Sequence, residues 1–283
     1  ATNGYVLTSD ASGNASWQSI PTSSGRFGIS DSNGAYTYYT TLSLAMAAAF
    51  AGQTIEMFAD YTESGSVTIT VKNGVVWASS PNGRLRNAYC YSTSGMGYYG
   101  NVRVDNSICS SGSNIGLYSQ ANTVSDSIGI SAGDYGIQTI SGVLNNCKGY
   151  SSASSGIYVL YSNAYSCFGY STANAGITLS NSPTNAYNCL GYSTVSYGIV
   201  STGGAYKYLY SCTAIADASA AMLLAVATTN NAVGCTVVSK WNNSSGHGIV
   251  VNGTTNVIMN CSIEVANTSA NAIYASSSQT VKY

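Results

Sequence analysis

A glycine followed by an apolar residue returns about every twenty positions through the C-terminal two thirds of this chain. The pairs are Gly97-Tyr98, Gly116-Leu117, Gly136-Ile137, Gly156-Ile157, Gly176-Ile177, Gly198-Ile199 and Gly248-Ile249. Ala221-Met222 and Ala272-Ile273 fill the same slot. Successive spacings are 19, 20, 20, 20, 22, 23, 27 and 24. Cysteines keep the same beat at 90, 109, 147, 167, 189, 212, 235 and 261, and Ser127 fills the gap between 109 and 147. Two markers at one period constrain the chain to a solenoid, in which each unit buries its apolar face only against its neighbours.

The type of solenoid follows from the pattern inside one unit. The Leu pattern of leucine-rich repeats is missing, and so is the 3.6-residue apolar period of helical repeats. What remains is short alternating runs, such as 156–159 and 163–170, separated by Ser, Asn and Gly. These read as strands of three to five residues. Three such strands per unit predict an all-β parallel β-helix of about nine or more coils. Its nine marked rungs span ~38 Å at ~4.8 Å per coil. Counting the Cys as zero, the positions three before it are apolar (Leu144, Ala164, Ala186, Leu209, Ala232, Ile258). Those two after it are small or apolar (Gly129, Gly149, Gly169, Gly191, Ala214, Val237, Ile263). Both columns, with the Cys, are expected to point inward. One before it come Asp126, Asn146, Ser166, Asn188, Ser211 and Asn260, expected as an internal polar ladder at a bend.

This layout, cleanest in Asn256-Val257-Ile258-Met259-Asn260-Cys261, resembles the right-handed pectate-lyase-like β-helix family over about 55–283. The resemblance is one of fold; no catalytic motif accompanies it. A right-handed coil also follows from the general rule for parallel crossovers. The stacked Cys are then expected as free, buried thiols, with some bridged pairs as the alternative. A zinc site is disfavoured, because no C-x-x-C occurs and the thiols lie in a line.

Residues 1–35 differ in composition and are expected to form an N-terminal linker or attachment segment, with a capped β-helix over 36–283. The stretch from Asn3 to Trp17 resembles a short unit, G-x-V-L-T-S-D-x-x-G-x-A-x-W, of phage tail fibres and of Bacteroidetes-type surface proteins. It also reads as a plain hairpin, Val6–Thr8 against Ala15–Trp17. Residues 41–51 predict one helix, N-capped by Thr40 or Thr41 and stopped by Gly52, with Leu42, Ala45, Met46, Ala49 and Phe50 on one face. It is expected to cap the open end of the solenoid. Strands are expected at 54–59, 66–71 and 75–79, beginning the first coils. The chain ends strand-like, so the solenoid is expected to continue into a partner or a removed domain.

Chemistry is sparse. Charged residues are 7% of the 283, against roughly 25% in an average globular protein. Nine Lys and Arg leave no basic face for nucleic acid. No apolar run is long enough to span a membrane, and the N-terminus has no signal-peptide pattern. Polarity comes from Ser, Thr, Asn and Gly, as on many extracellular and virion proteins. Glu56, Asp60 and Glu63 form the one local acidic cluster and read as a solvated edge. His247 reads as a loop residue in the longest insertion. Asn-x-Ser/Thr triplets begin at Asn14, Asn242, Asn243, Asn252, Asn260 and Asn267, of which Asn260 is expected buried.

Tyrosine is the better pointer, with 24 Tyr against 4 Phe. Tyr150, Tyr170 and Tyr192 stand three after the Cys on consecutive coils; Tyr165, Tyr187 and Tyr210 stand two before it. Both stripes are expected to face outward, as a stacking ladder, a subunit interface or a glycan contact. The reading is a non-enzymatic structural and adhesive module of a virion fibre or spike. It would work without cofactor or metal, as a homo-oligomer of trimeric type, against host-surface glycans and other fibre or virion proteins. The alternatives are a secreted bacterial surface adhesin and a polysaccharide lyase or hydrolase on the same fold. The expected location is the virion, the extracellular space or the cell surface.

Overall fold

The computed structural model describes residues 5–9, 15–19, 27–31, 33–50, 54–57, 76–77, 84–86, 89–100, 103–204, 206–225, 229–252, 255–275 and 280–282. The chain divides into two compact units, 1–61 with 69–86, and 62–68 with 87–283.

In the first unit Tyr5–Ser9 and Ala15–Ser19 pair antiparallel with Leu7 opposite Trp17, as a hairpin requires. A four-stranded sheet follows in the order Tyr36–Tyr39, Phe27–Ser30, Thr54–Met57, Val76–Trp77. The positions on either side of residue 35 are therefore sheet neighbours. Thr54–Met57 pairs antiparallel with Phe27–Ser30, so it builds this sheet rather than a first coil of the solenoid. The strand expected at 66–71 lies outside the described residues. The helix runs Leu42–Ala48, and the Thr41 hydroxyl accepts from the Leu44 N–H at 3.2 Å. Ala45 and Ala49 are buried. The helix packs on the strands Phe27–Ser30 and Tyr36–Tyr39. It stops three residues short of the expected end, because Ala49 turns extended at ψ 141°. Helical periodicity no longer governs Phe50, which is 74% exposed rather than on the apolar face. Gly52 lies outside the described residues.

The second unit is an all-β parallel solenoid of about eight turns. A coil is represented by Val143–Asn145 in a first sheet, Lys148–Ser151 in a second and Ile157–Leu160 in a third. Each strand pairs parallel and in register with its equivalent one coil away, so Ile157 meets Ile137 below and Ile177 above. The second sheet runs from Tyr89–Ser92 to Ser262–Val265, and the third from Tyr98–Gly100 to Ile273–Ala275. Register is set by which side chains must be inside. Leu144, Ala164, Ala186, Leu209 and Ala232 from the first sheet are fully buried, as are Leu117, Ile137, Ile157, Ile177 and Ile199 from the third. Each Ile or Leu so buried contributes about 1.5–3 kcal/mol.

The second and third sheets approach closely where glycine recurs. A Cβ on Gly149 would lie 2.1 Å from the Gly156 carbonyl oxygen, and one on Gly156 would lie 2.4 Å from the Tyr170 nitrogen. Side chains are therefore excluded from this corner. Further along, Ala214 and Val237 stand in the column of Gly149 and are buried.

Two expectations about the columns are corrected. The residues before the Cys do not form an internal ladder. Asp126, Asn146, Ser166, Asn188, Ser211 and Asn260 all have φ between 50° and 53° and are exposed. Asn260, expected buried, is among them. The chain needs a left-handed residue to turn from the first sheet into the second, and Asn, Asp and Ser tolerate that conformation. Along this outer column Asn146 Nδ2 donates to Asp126 Oδ1 at 2.7 Å.

The eight Cys also do not form one column. Cys109 pairs with Cys90 below and Gly129 above, in the glycine column. Ser107 and Ser127 precede Cys147, Cys167, Cys189, Cys212, Cys235 and Cys261 in the other. A near-equal spacing conceals this shift of two residues.

A buried polar ladder runs elsewhere, through Ser92, Ser111, Ser131, Ser151, Ser171 and Ser193 at the ends of second-sheet strands, and after Ala216 it resumes at Ser239. Ser171 Oγ donates to the Ser154 carbonyl at 2.6 Å and accepts from the Asn174 N–H at 2.8 Å. Ser193 repeats the pattern with the Asn174 carbonyl at 2.6 Å and the Ser196 N–H at 2.9 Å. Each hydroxyl closes its own turn and ties it to the turn one coil below.

Candidate functional site

The two tyrosine stripes stand on different sheets and differ in geometry. Tyr165, Tyr187 and Tyr210 close the first-sheet strands and are in register. Tyr165 and Tyr187 stack at 4.9 Å and 7°, and Tyr187 and Tyr210 at 5.5 Å and 7°. Tyr208 stacks beside Tyr210 at 6.0 Å. Both faces of the Tyr187 ring are thus covered by its neighbours. A sugar stacking on an aromatic needs an open ring face, which Tyr187 lacks; Tyr165 and Tyr210, the end rings of the stack, are each 37% exposed. Beside it Asn185 Nδ2 donates to Asn163 Oδ1 at 2.8 Å. Burial, with the Tyr165 and Tyr210 hydroxyls nearby, pushes the Tyr187 phenol up.

Tyr150, Tyr170 and Tyr192 stand outward on the second sheet, also in register and each half-buried. Their rings are tilted, by 55° between Tyr150 and Tyr170 and 40° between Tyr170 and Tyr192. Phe168 meets Tyr150 edge-on at 5.8 Å. Tilted in this way, neighbouring Tyr rings of the row do not cover one another face to face. The stripe ends on a polar cluster that the sequence reading passed over. Tyr192 donates its hydroxyl to Asp217 Oδ2. Lys240 Nζ sits 3.2 Å from Asp217 Oδ1 and 5.1 Å above the Tyr192 ring. The hydrogen bond to Asp217, with burial and the carboxylate's charge, raises the Tyr192 phenol to about 12. Lys240 and Asp217 immediately follow the register-paired residues Ser239 and Ala216, which was the available sequence signal.

A third aromatic set was also missed. Tyr99 and Tyr118 stack at 4.8 Å, and Tyr135 and Tyr158 at 4.6 Å. Tyr99, Tyr118 and Tyr158 each stand two after a marker glycine, so the repeat had placed them.

The thiols of the long Cys column are hydrogen-bonded. The Cys147 sulfur lies 3.2 Å from the Asn145 carbonyl and 3.3 Å from the Val124 carbonyl, which share its single S–H. Cys189, Cys212, Cys235 and Cys261 repeat both contacts, to the carbonyl two residues back and to one in the coil below. Ser107 and Ser127 make the bond to the carbonyl two back at 2.8 and 2.7 Å. All eight Cys are free thiols, seven buried and Cys261 half-buried. Adjacent thiols and burial push Cys167 and Cys212 well above the ordinary thiol range. Among the described residues no group of three or more His, Cys, Asp or Glu converges on a metal position.

Lys207 is the one fully buried lysine among the described residues. It is stacked in register between Thr184 and Asn230. Its Nζ donates to the Leu179 carbonyl at 2.9 Å and to the Thr202 carbonyl. Desolvation lowers its ammonium to about 7. Asn230 continues the column by donating to Asn256 at 2.9 Å. His247 Nδ1 accepts from the Asn271 N–H at 3.1 Å and its ring stacks on Tyr274 at 4.5 Å. In the cluster Glu56, Asp60 and Glu63, the backbone of Glu56 pairs with Gly28; Asp60 and Glu63 lie outside the described residues. No helix among the described residues is long and apolar enough to cross a membrane.

Comparison with family models, with curated proteins and with solved structures finds no match.

Proposed function

We propose that this chain is a non-enzymatic structural and adhesive module, a stiff solenoid that carries a binding stripe for glycans on its second sheet. The observation that carries this reading is the tilted row Tyr150, Tyr170 and Tyr192, ending on Asp217 and Lys240. Ring faces beside a carboxylate and an ammonium suit a sugar, which has apolar C–H faces and hydroxyls to pair. The stacked row Tyr165, Tyr187 and Tyr210 serves stability instead, through its face-to-face rings. The setting that fits is a virion fibre or spike, homo-oligomeric and trimeric, with a right-handed pectate-lyase-like coil. The resemblance of residues 3–17 to fibre units and the low-charge, hydroxyl-rich composition support it. A bacterial surface adhesin uses the same physics.

The test compares two triple variants on a glycan panel. Tyr150, Tyr170 and Tyr192 changed together to Ser should lower glycan binding at least tenfold. Tyr165, Tyr187 and Tyr210 changed to Ser should lower the melting temperature and spare binding. Equal glycan binding by wild type and the first variant would sink the adhesive reading.

A further inference from the structure

The column of six thiols has a geometry that the fold alone does not need, since Ser107 and Ser127 serve the same position and the same carbonyl bond. Cys147, Cys189, Cys212, Cys235 and Cys261 repeat the same pair of sulfur contacts, so their side chains share one orientation. Cys167 keeps the bond to the carbonyl two back, at 3.2 Å. Side chains in one orientation on stacked coils are spaced as the coils are, about 4.8 Å. A metal–thiolate bond is about 2.3 Å. Two such bonds in a straight line span about 4.6 Å, nearly the coil spacing.

We propose that neighbouring thiols of this column are two-coordinate sites for soft d¹⁰ cations, each ion lying on the column axis and bridging two coils. The pairs are Cys147 with Cys167, Cys189 with Cys212, and Cys235 with Cys261. Thiolates select soft ions, and a row of sulfurs cannot supply the tetrahedron that zinc requires. The axis position also suits the bond angle at sulfur, because the side chains point across the axis and the metal lies along it. Loading a divalent ion forms two sulfur–metal bonds and breaks two S–H bonds. The two protons leave to solvent, and nothing is oxidised. The product is neutral, which a buried column tolerates where it would reject a net charge. Cys261, half-exposed, is the point of entry. Cys90 and Cys109, in register in the adjacent glycine column, make a further pair of the same kind.

The experiment uses mercuric chloride as the probe and zinc chloride as the comparator. The background carries Cys109→Ala, which removes the pair outside the column; Ala214 already occupies that position five coils along. Native mass spectrometry should find three mercury ions per column of six thiols, with two protons released for each. Zinc should not load in this way. Two triple variants then keep three column thiols each. C167S/C212S/C261S leaves no adjacent pair and should lose every two-proton site. C147S/C167S/C189S leaves Cys212, Cys235 and Cys261 adjacent and should keep one. Identical stoichiometry and proton release in the two variants would overturn the proposal, since mercury would then be reading single thiols. If either variant fails to fold, X-ray absorption on the mercury-loaded parent decides. Two sulfurs per metal support the site, and one, three or four refute it.

Discussion

Replacing Lys207 by Met tests how the core handles its buried charge. The lysine is fully buried and its ammonium falls from an ordinary 10.5 to about 7. A fall of about 3.5 units at about 1.36 kcal/mol each makes the charged form cost about 5 kcal/mol in the fold. The folded value lies below the unfolded one. The unfolded chain therefore holds the extra proton between pH 7 and 10.5, and stability rises with pH across that window. Below pH 7 the full penalty applies; above 10.5 it is gone. The Met variant loses the bonds to the Leu179 and Thr202 carbonyls. That costs about 1–3 kcal/mol for each carbonyl left unpaired, at every pH. The sign of the difference at one pH is therefore not diagnostic, but its slope is. Urea unfolding at several pH values should show the variant's stability relative to wild type falling as pH rises from 7 to 10.5. The slope should reach about 1.4 kcal/mol per pH unit, since other titrating groups cancel in the difference. A difference that stays flat across the window would refute a buried, depressed ammonium.

Two further outcomes follow from the same geometry. Gly149→Ala should destabilise the solenoid by about 3 kcal/mol, read from the urea midpoint, because the added carbon meets the Gly156 backbone as well as the Ile157 side chain. Asp217→Asn should let Tyr192 titrate back toward 10 from about 12, followed by phenolate absorbance in an alkaline titration, because the carboxylate that opposes the phenolate is gone.

The sequence alone determined the architecture. Stacking makes equivalent positions share one environment, so Gly156, Ile157 and Cys167 had to recur at one period in the chain. Hence the inward column from Leu144 to Ile258 was legible, and so were the outward tyrosines. Facing at the bends was not legible, because it depends on the backbone. Asn188 and Ser211 look like ladder residues until the left-handed φ turns them outward. Register was ambiguous wherever two beats nearly coincide. Cys90 and Cys109 keep the cysteine spacing, yet stand in the column of Gly129, and only the strand register separates Ser107 from Cys109. Lys207 stands two residues before Leu209, so alternation had already put it inside. Chemistry argued against that place, and the carbonyls of Leu179 and Thr202 that accept its protons come from other strands. The tyrosine stripes looked alike for the same reason. Spacing along the chain sets which rings are neighbours, but whether they stack face to face, as at Tyr187, or tilt, as at Tyr170, is decided by packing between coils.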